Sequence, residues 1–179
     1  MHLRKLEEKD ADGMLEWMHD PQIQKYFCAA MENKTKDDVL EFIHTAEITP
    51  KHGKSIHYAI TDEEDSYLGT ISLKNMDMIS KSAEYAISLR KSAQRKGIAS
   101  KATKELLKLA FEKFYFQRIY LNVLSNNRRA IQLYEKSGFV YEGTFRRHLF
   151  IRGEYRTLIW YSILDYEYFR RNQCENKKG

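Results

Sequence analysis

Apolar side chains recur along the second half of the chain with two different periods. From Ala83 to Leu89 apolar and polar positions alternate, as they do in a half-buried strand. After it, apolar residues return every three or four positions, which predicts a helix; they are Ile98, Ala102, Leu106, Leu107, Ala110, Phe111 and Phe114. Residues 119–123 then read as a buried strand, and a second amphipathic helix follows, with Asn127 as its N-cap and Gly138 past its end.

The rest of the chain fits a mixed sheet with helices around it. The patterns predict a strand at 2–6, a helix at 10–18 capped by Asp10, a helix at 36–47, strands at 55–61 and 67–74, and a hairpin of 140–151 and 154–164. This is an α+β arrangement in one domain, 1–168. Residues 169–179 are polar and are expected to form a frayed tail.

Composition bounds the class of protein. With 179 residues, 42% of them hydrophobic and 13% aromatic, the chain is large enough for one globular domain. No apolar run approaches the roughly 18 residues of a membrane span, and the N-terminus lacks the apolar segment of a signal peptide. A cytoplasmic protein without a membrane partner is expected. Cys28 and Cys174 are too few for a disulfide framework and are expected to be reduced bystanders.

The net charge of +5 has three interpretations: solubility, attraction for an anionic ligand, and nucleic-acid binding. Basic residues are interleaved with acidic ones and form no basic arm, which disfavours nucleic acid. The six histidines form no ligand pair at helical spacing, so no metal is predicted. A G-x-S-x-G motif is missing, and serine hydrolysis therefore has no support.

The connection Gln94-Arg95-Lys96-Gly97-Ile98-Ala99 carries the clearest chemical signal. It leads from the alternating strand into the N-terminus of the first helix, where unpaired N–H groups and the helix dipole favour an anion. Gly97 allows a tight turn, and Ala99 leaves room for a ligand. Arg95 and Lys96 add positive charge. Pyrophosphate binding fits this pattern, and the alternative is an ordinary loop.

The order of elements and motifs resembles the acetyl-CoA site of the GNAT superfamily of N-acyltransferases. It consists of a strand, Q-R-K-G-I-A, a helix, a second strand and S-N-N-R-R-A-I-Q-L-Y-E-K-S-G-F. The resemblance is strong over 67–164 and looser over 1–66. Residues 140–161 are similar to the branch of ribosomal-protein N-terminal and spermidine N-acetyltransferases. The resemblance to the superfamily implies a GNAT fold, with a mixed, largely antiparallel sheet and a C-terminal hairpin. It also implies acetyl-CoA as the acyl donor. A homodimer is one possible assembly.

The resemblance also implies roles for individual residues. The strand before the turn is expected to splay from its neighbour and to pair with the pantetheine arm, and one of its backbone N–H groups would polarise the thioester oxygen. Asn127 would contact the cofactor, and Arg129 would bind a phosphate or be solvated. The expected cofactor-binding residues are Ile87, Ser88, Leu89, Gln94, Arg95, Lys96, Gly97, Ile98, Ala99, Ser100, Asn127 and Arg129.

Two residues are expected to act in catalysis. By the resemblance Tyr134 is the general acid that returns a proton to the sulfur of coenzyme A; the alternative is a helix tyrosine packed on the sheet. A base is also needed, because an amine with a pKa near 10 is mostly protonated at pH 7. By the same resemblance, several ribosomal-protein acetyltransferases carry a glutamate at the strand position that is filled here by Asn122, and an asparagine cannot serve as a base. Glu84 is therefore the predicted base or amine-binding carboxylate, and its alternative is a surface salt bridge.

The acceptor is left open between two classes. A small amine, such as a polyamine or an amino sugar, is one; a polyamine would favour clustered carboxylates, which Glu32, Asp37, Asp38 and Glu41 could supply. A protein N-terminus is the other. A different class of protein, a non-catalytic acyl-CoA-binding module on the same fold, would not need Tyr134.

Overall fold

The computed structural model describes residues 1–27 and 31–176 and contains seven strands and six α-helices in these ranges. The strands are β1 (His2–Lys5), β2 (Ile56–Thr61), β3 (Tyr67–Asp77), β4 (Ser82–Leu89), β5 (Arg118–Leu124), β6 (Val140–Ile151) and β7 (Glu154–Leu164). The helices are α1 (Ala11–His19), α2 (Pro21–Gln24), α3 (Lys36–Thr45), α4 (Ile98–Lys108), α5 (Arg128–Lys136) and α6 (Asp165–Asn176). None of them is long and apolar enough to cross a bilayer. The expectations for Cys28 and for the side chain of Cys174 lie outside the described part.

All seven strands form one sheet in the order β1-β2-β3-β4-β5-β7-β6. Every neighbouring pair is antiparallel except β4 and β5, which are parallel. The sheet is therefore mixed and largely antiparallel, and β6 and β7 form the C-terminal hairpin, as the sequence predicts. Because β7 lies between β5 and β6, the last strand of the chain is an interior strand of the sheet.

The parallel pair is short. β4 and β5 are paired only from Ser82 to Glu84 on one strand and from Arg118 to Tyr120 on the other. Beyond Glu84, β4 continues to Leu89 beside β3, and β5 continues to Leu124 beside β7, but β4 and β5 no longer pair with each other, so the two strands diverge. One edge of β4 therefore has no strand partner beyond Glu84, and its backbone groups there need partners of another kind.

Helices cover both faces of the sheet. Successive side chains along a strand therefore point alternately into two hydrophobic cores, one on each face. On β2, Tyr58 and Ile60 belong to a large core with α4, α5 and α6, whereas Ala59 between them belongs to a smaller core with α1 and α3. Phe111 and Trp17 are large side chains of the two cores, respectively. This alternation is the period-2 pattern that a strand covered on both faces must show.

Asp10 does not cap α1, contrary to the prediction from the sequence. It closes a short 3₁₀ turn, Glu8–Asp10, and its carboxylate accepts a hydrogen bond of 2.9 Å from the Glu7 N–H and two from the Arg4 guanidinium, at 2.8 and 2.9 Å. Asp10 is buried, and a buried carboxylate is retained only when it is paired in this way. Asp10 therefore serves as the partner of the Arg4 guanidinium, a role that the local sequence pattern does not predict.

The end of the chain also differs from its prediction. Residues 169–176, expected to form a frayed tail, belong to helix α6, and 177–179 lie outside the described residues. Tyr168 anchors the helix: its ring stacks on Phe111 at 4.9 Å between centroids, and its hydroxyl donates to Glu112 at 2.7 Å. These contacts are tertiary, so the polar composition of the segment does not predict them.

Candidate active site

The turn before α4 has the backbone geometry of an anion site. Gly97 is the N-cap of α4 at φ 75°, in the left-handed region, and no side chain caps the helix. The first hydrogen bond of the helix runs from the Lys101 N–H to the Gly97 carbonyl at 3.1 Å, so the N–H groups of residues 98–100 have no partner inside the helix. Arg95 is also left-handed, at φ 62°. Together with the helix dipole, these N–H groups favour a phosphate.

Two side chains brace this turn against its surroundings. Gln94 donates to the Leu89 carbonyl at the end of β4, at 3.3 Å, and its amide oxygen accepts from Arg129 at 3.0 Å. The turn is thereby tied both to β4 and to the first turn of α5. Arg129 is engaged in this brace, whereas Lys96 is exposed and does not line the cavity described next.

A cavity of about 1480 Å³ extends from the turn through the gap between β4 and β5 to the helices α1 and α3. We call the part of the cavity formed by the turn, the N-termini of α4 and α5, and the open edge of β4 the donor half, after the acetyl-CoA expected there from the resemblance. The remaining part, formed by β2, β3, the start of β4, α1 and α3, is called the acceptor half. Of the predicted cofactor-binding residues, the structure brings eleven to its wall: Ile87, Ser88, Leu89, Gln94, Arg95, Gly97, Ile98, Ala99, Ser100, Asn127 and Arg129.

Asn127 caps α5, as predicted, and its side chain accepts a hydrogen bond from the Ala130 N–H at 3.2 Å. Tyr134 lies on the same helix and also lines the cavity. Its ring contacts Tyr85 and Phe139 edge-to-face, with centroids 5.7 and 5.9 Å apart. Burial raises the pKa of Tyr134 above the ordinary phenol value of about 10. The hydroxyl therefore keeps its proton throughout the physiological range.

A buried hydrogen-bond chain connects this tyrosine pair to the anion turn. Thr103 donates to the Ala99 carbonyl at 2.7 Å, so its oxygen is left to accept from the Tyr85 hydroxyl, also at 2.7 Å. Both Tyr85 and Thr103 are almost fully buried. The chain ends on the peptide group whose N–H belongs to Ser100, and hydrogen bonds in series polarise one another.

Glu84 lies in the acceptor half, at the last position of β4 that is paired with β5. Its carboxylate is 3.0 Å from the Lys74 ammonium and accepts from the amides of Asn75 at 2.8 Å and Asn122 at 3.5 Å. The salt bridge that was the alternative for this residue therefore exists, and it exists inside the cavity. Asn122 serves as a hydrogen-bond donor to Glu84 in this arrangement.

His57 lines the acceptor half and is a residue that reasoning from the sequence missed. Its Nδ1 is 2.7 Å from the Ser72 hydroxyl, and its ring packs against Phe42 with centroids 4.7 Å apart. Burial, with a smaller contribution from the Lys74 charge, lowers the pKa of His57 to about 4, so the ring is neutral at neutral pH. The strand alternation of β2 and β3 places both residues on one face, but the histidines were tested only as metal ligands.

The four carboxylates considered for a polyamine do not form a cluster. Asp38 lines the cavity but belongs to the capping box of α3 with Thr35. Glu32 is 3.4 Å from the Arg152 guanidinium, and Asp37 and Glu41 do not line the cavity. Across residues 1–27 and 31–176, no group of three or more His, Cys, Asp or Glu side chains could hold a metal ion.

The family model of the acetyltransferase (GNAT) domain matches residues 1–140, most of the chain. The chain belongs to the GNAT family. It is an acetyl-CoA-dependent N-acetyltransferase, and the uncapped, glycine-initiated helix at the end of the cavity suits the pyrophosphate of that donor.

Relatives with stated activities include polyamine enzymes. The chain is 30% identical over 133 residues to spermidine N(1)-acetyltransferase of Vibrio cholerae, covering 71% of this chain and 77% of the relative. It is 24% identical to spermidine N(1)-acetyltransferase of Escherichia coli, covering 96% and 89%. A putative ribosomal N-acetyltransferase, YdaF of Bacillus subtilis, is 31% identical and is matched over 59% of this chain and 57% of its own length.

The crystal structure of the Vibrio cholerae spermidine N-acetyltransferase in complex with CoA and spermine superposes with a TM-score of 0.83 at 27% identity. The alignment covers 94% of this chain and 97% of that one. The two folds therefore agree over nearly their whole length.

Proposed function

We propose that this enzyme transfers the acetyl group of acetyl-CoA directly to the primary amine of a small molecule, a linear polyamine in the first place, within a ternary complex. The observation that supports this most is the continuous cavity, which joins the turn Gln94–Ala99 to the acceptor half, where Glu84 lies. The lysine ammonium at 3.0 Å from Glu84 supports the choice of a primary amine, because that carboxylate already accommodates one. The relatives that act on spermidine support the choice of a polyamine.

The donor half would hold acetyl-CoA through backbone groups. The N–H groups at the start of α4 would bind the pyrophosphate, and the open edge of β4 at Ile87–Leu89 would pair with the pantetheine amides. A backbone N–H of β4 would also donate to the thioester oxygen, where negative charge develops during attack. The bound donor supplies the activated acetyl group.

Tyr134 and Glu84 would manage the protons. Glu84, directly or through water, would take a proton from the acceptor ammonium so that the neutral amine can attack. The Tyr134 hydroxyl would donate to the departing sulfur. Because burial raises the pKa of Tyr134 while a thiol has a pKa of about 8.5, hydrogen bonding by the hydroxyl comes first and full proton transfer is the harder step.

A panel of acceptors tests the assignment. Turnover of acetyl-CoA would be measured with spermidine, with glucosamine and with a peptide that has a free N-terminus, each at saturating donor. We expect the highest kcat/KM with spermidine. Equal or better turnover of the peptide would instead favour protein N-terminal acetylation, the second candidate, which the similarity to the putative ribosomal enzyme supports. Turnover of none of the three would contradict the proposal.

A further inference from the structure

Glu84 is the carboxylate in the acceptor half that is placed to meet a substrate ammonium. Three carboxylates line the described part of the cavity: Asp20, Asp38 and Glu84. Asp20 caps α2 by accepting from the Gln22 N–H at 2.7 Å, and Asp38 is bound in the α3 capping box. Both therefore have fixed structural partners at helix N-termini, whereas Glu84 lies on the sheet floor at the opening between β4 and β5.

The groups that hold Glu84 differ in how easily they can leave. Asn75 and Asn122 donate from neighbouring strands, and they can keep the carboxylate in place without any charge. Lys74 stands directly opposite Glu84 in the antiparallel register of β3 and β4, and its side chain is 37% exposed, against 16% for Glu84. A long, flexible lysine side chain that already contacts solvent can turn away from Glu84, whereas the two asparagine amides stay on their strands.

The Lys74 side chain ends in a primary alkylammonium, which is the same chemical group as the protonated acceptor. We infer that Lys74 is a specificity-determining residue that occupies the ammonium position on Glu84 until an acceptor displaces it. This inference rests on the proposed function, because it takes Glu84 as the acceptor's carboxylate. It has two consequences: the surroundings of Glu84 carry no net negative charge at rest, and every cationic acceptor must compete with an ammonium of the enzyme.

The inference predicts the sign of a mutational effect. Removing the Lys74 charge should strengthen the binding of an ammonium ion, because Glu84 loses its internal competitor and the amides of Asn75 and Asn122 still orient it. If Lys74 instead serves to hold Glu84 in its binding position, the same change should weaken binding. The direction in which ammonium affinity changes therefore shows whether Lys74 competes with the acceptor or holds Glu84 in place.

Calorimetry on the CoA complex measures this without any turnover. The probe is n-butylamine, which is protonated at neutral pH, and n-butanol is its uncharged counterpart. Lys74→Met and Lys74→Gln should each bind n-butylamine about threefold more tightly than the native enzyme and should bind n-butanol no differently. Thermal melting identifies a variant that has lost its fold, and the second substitution then carries the test.

Two variants serve as controls. Lys74→Arg keeps a cationic competitor opposite Glu84 and should therefore bind n-butylamine no more tightly than the native enzyme. Lys5→Met removes one charge from the exposed residue at the end of β1, outside the cavity, and should also have no effect. Equal or weaker n-butylamine binding by folded Lys74→Met and Lys74→Gln would overturn the inference, as would the absence of binding to all variants. Failure of the proposed function appears separately, as a native enzyme that acetylates no amine of the acceptor panel.

Discussion

The donor half of the cavity consists mainly of backbone groups, whereas the acceptor half consists mainly of side chains. Backbone groups form the donor half: the uncapped N-terminus of α4, the left-handed turn at Gly97 and the unpaired edge of β4. The acceptor half presents side chains from separate segments, among them His57, Lys74 and Glu84. Backbone geometry can be shared by many sequences, whereas side-chain chemistry changes with one substitution. The first half therefore suits a constant donor, and the second half suits selection of an acceptor.

Replacement of Tyr134 by phenylalanine should have the largest effect, because it removes the hydroxyl that we propose as the proton donor. We expect turnover to fall about a hundredfold, the usual contribution of a positioned general acid. Affinity for CoA should remain nearly unchanged, since the ring contacts with Tyr85 and Phe139 persist. Tyr141→Phe, which removes the hydroxyl of an exposed tyrosine, is the matched control.

The pH profile sharpens the same prediction. Burial raises the pKa of Tyr134, so the phenol stays protonated as the pH rises, while the acceptor amine loses its proton. Turnover should therefore climb with pH and show no descending limb up to about pH 10, the ordinary phenol pKa. Full activity of Tyr134→Phe where chemistry limits the rate would remove this residue from the mechanism.

A negative charge at Gly97 should disable the donor half alone. No atom lies within 4 Å of a Cβ built at this position, so Gly97→Asp acts through its charge and through strain at φ 75°, not through a clash. We expect CoA affinity to fall at least about tenfold in calorimetry, which corresponds to about 1.4 kcal/mol. Gly53→Asp is a close control, because Gly53 is also left-handed, at φ 70°, with equally open surroundings, and lies outside the cavity.

Gly97→Ala separates the two causes in that experiment, since it adds the backbone strain without the charge. An unchanged affinity for CoA in the folded aspartate variant would show that the pyrophosphate does not bind at this turn.

The acceptor half should respond to Glu84→Gln, which keeps the shape of the side chain and removes its charge. Turnover at saturating amine should fall about tenfold, less than the usual contribution of a general base, because water can accept the proton in place of the carboxylate. The loss should be partly recovered at higher pH, where the amine is already neutral. Glu142→Gln is the control, because Glu142 also pairs with a cation, Arg118, but does not line the cavity. Lost stability with intact kinetics would make Glu84 a structural residue instead.

The smallest effect should come from Thr103→Val, which tests the hydrogen-bond chain from Tyr85 through Thr103 to the Ala99 carbonyl. The substitution keeps the shape of the side chain but stops donation to the Ala99 carbonyl, so the Ser100 N–H loses its polarisation. CoA affinity should fall about threefold, while pantetheine, which lacks the pyrophosphate, should bind as before. Thr103→Ser retains the hydroxyl and should behave like the native enzyme; an equal loss for CoA and pantetheine would contradict this role.

The sequence alone predicted much of the fold and most residues of the donor half. Gln94–Ala99 and Asn127 could be found because a turn, a cap and a helix period are local features of a few residues. The hairpin bounds, 140–151 and 154–164, agreed for the same reason. Whether each predicted contact residue binds acetyl-CoA is still a prediction.

Tertiary pairing explains what the sequence did not predict. Nothing in the local sequence distinguishes His57 and Lys74 from other strand residues. Only the pairing of β2, β3 and β4 brings them to the cavity, and only its register places Lys74 opposite Glu84. Asp10 was predicted to be a helix cap because its partner Arg4 was not considered. Residues 169–179 were predicted to be a tail because they are polar; the contact that anchors the helix containing 169–176, Tyr168 on Phe111, joins segments far apart in the sequence.

The position of β7 inside the sheet has a consequence for how the protein is made. A ribosome releases β5 and β6 before β7, yet β7 must pair with both of them. Until β7 emerges, β5 and β6 each present an unpaired strand edge, a surface that favours association with other chains. Completion of the sheet must therefore follow synthesis, and shortened chains that stop before Glu154 should aggregate rather than form a smaller enzyme.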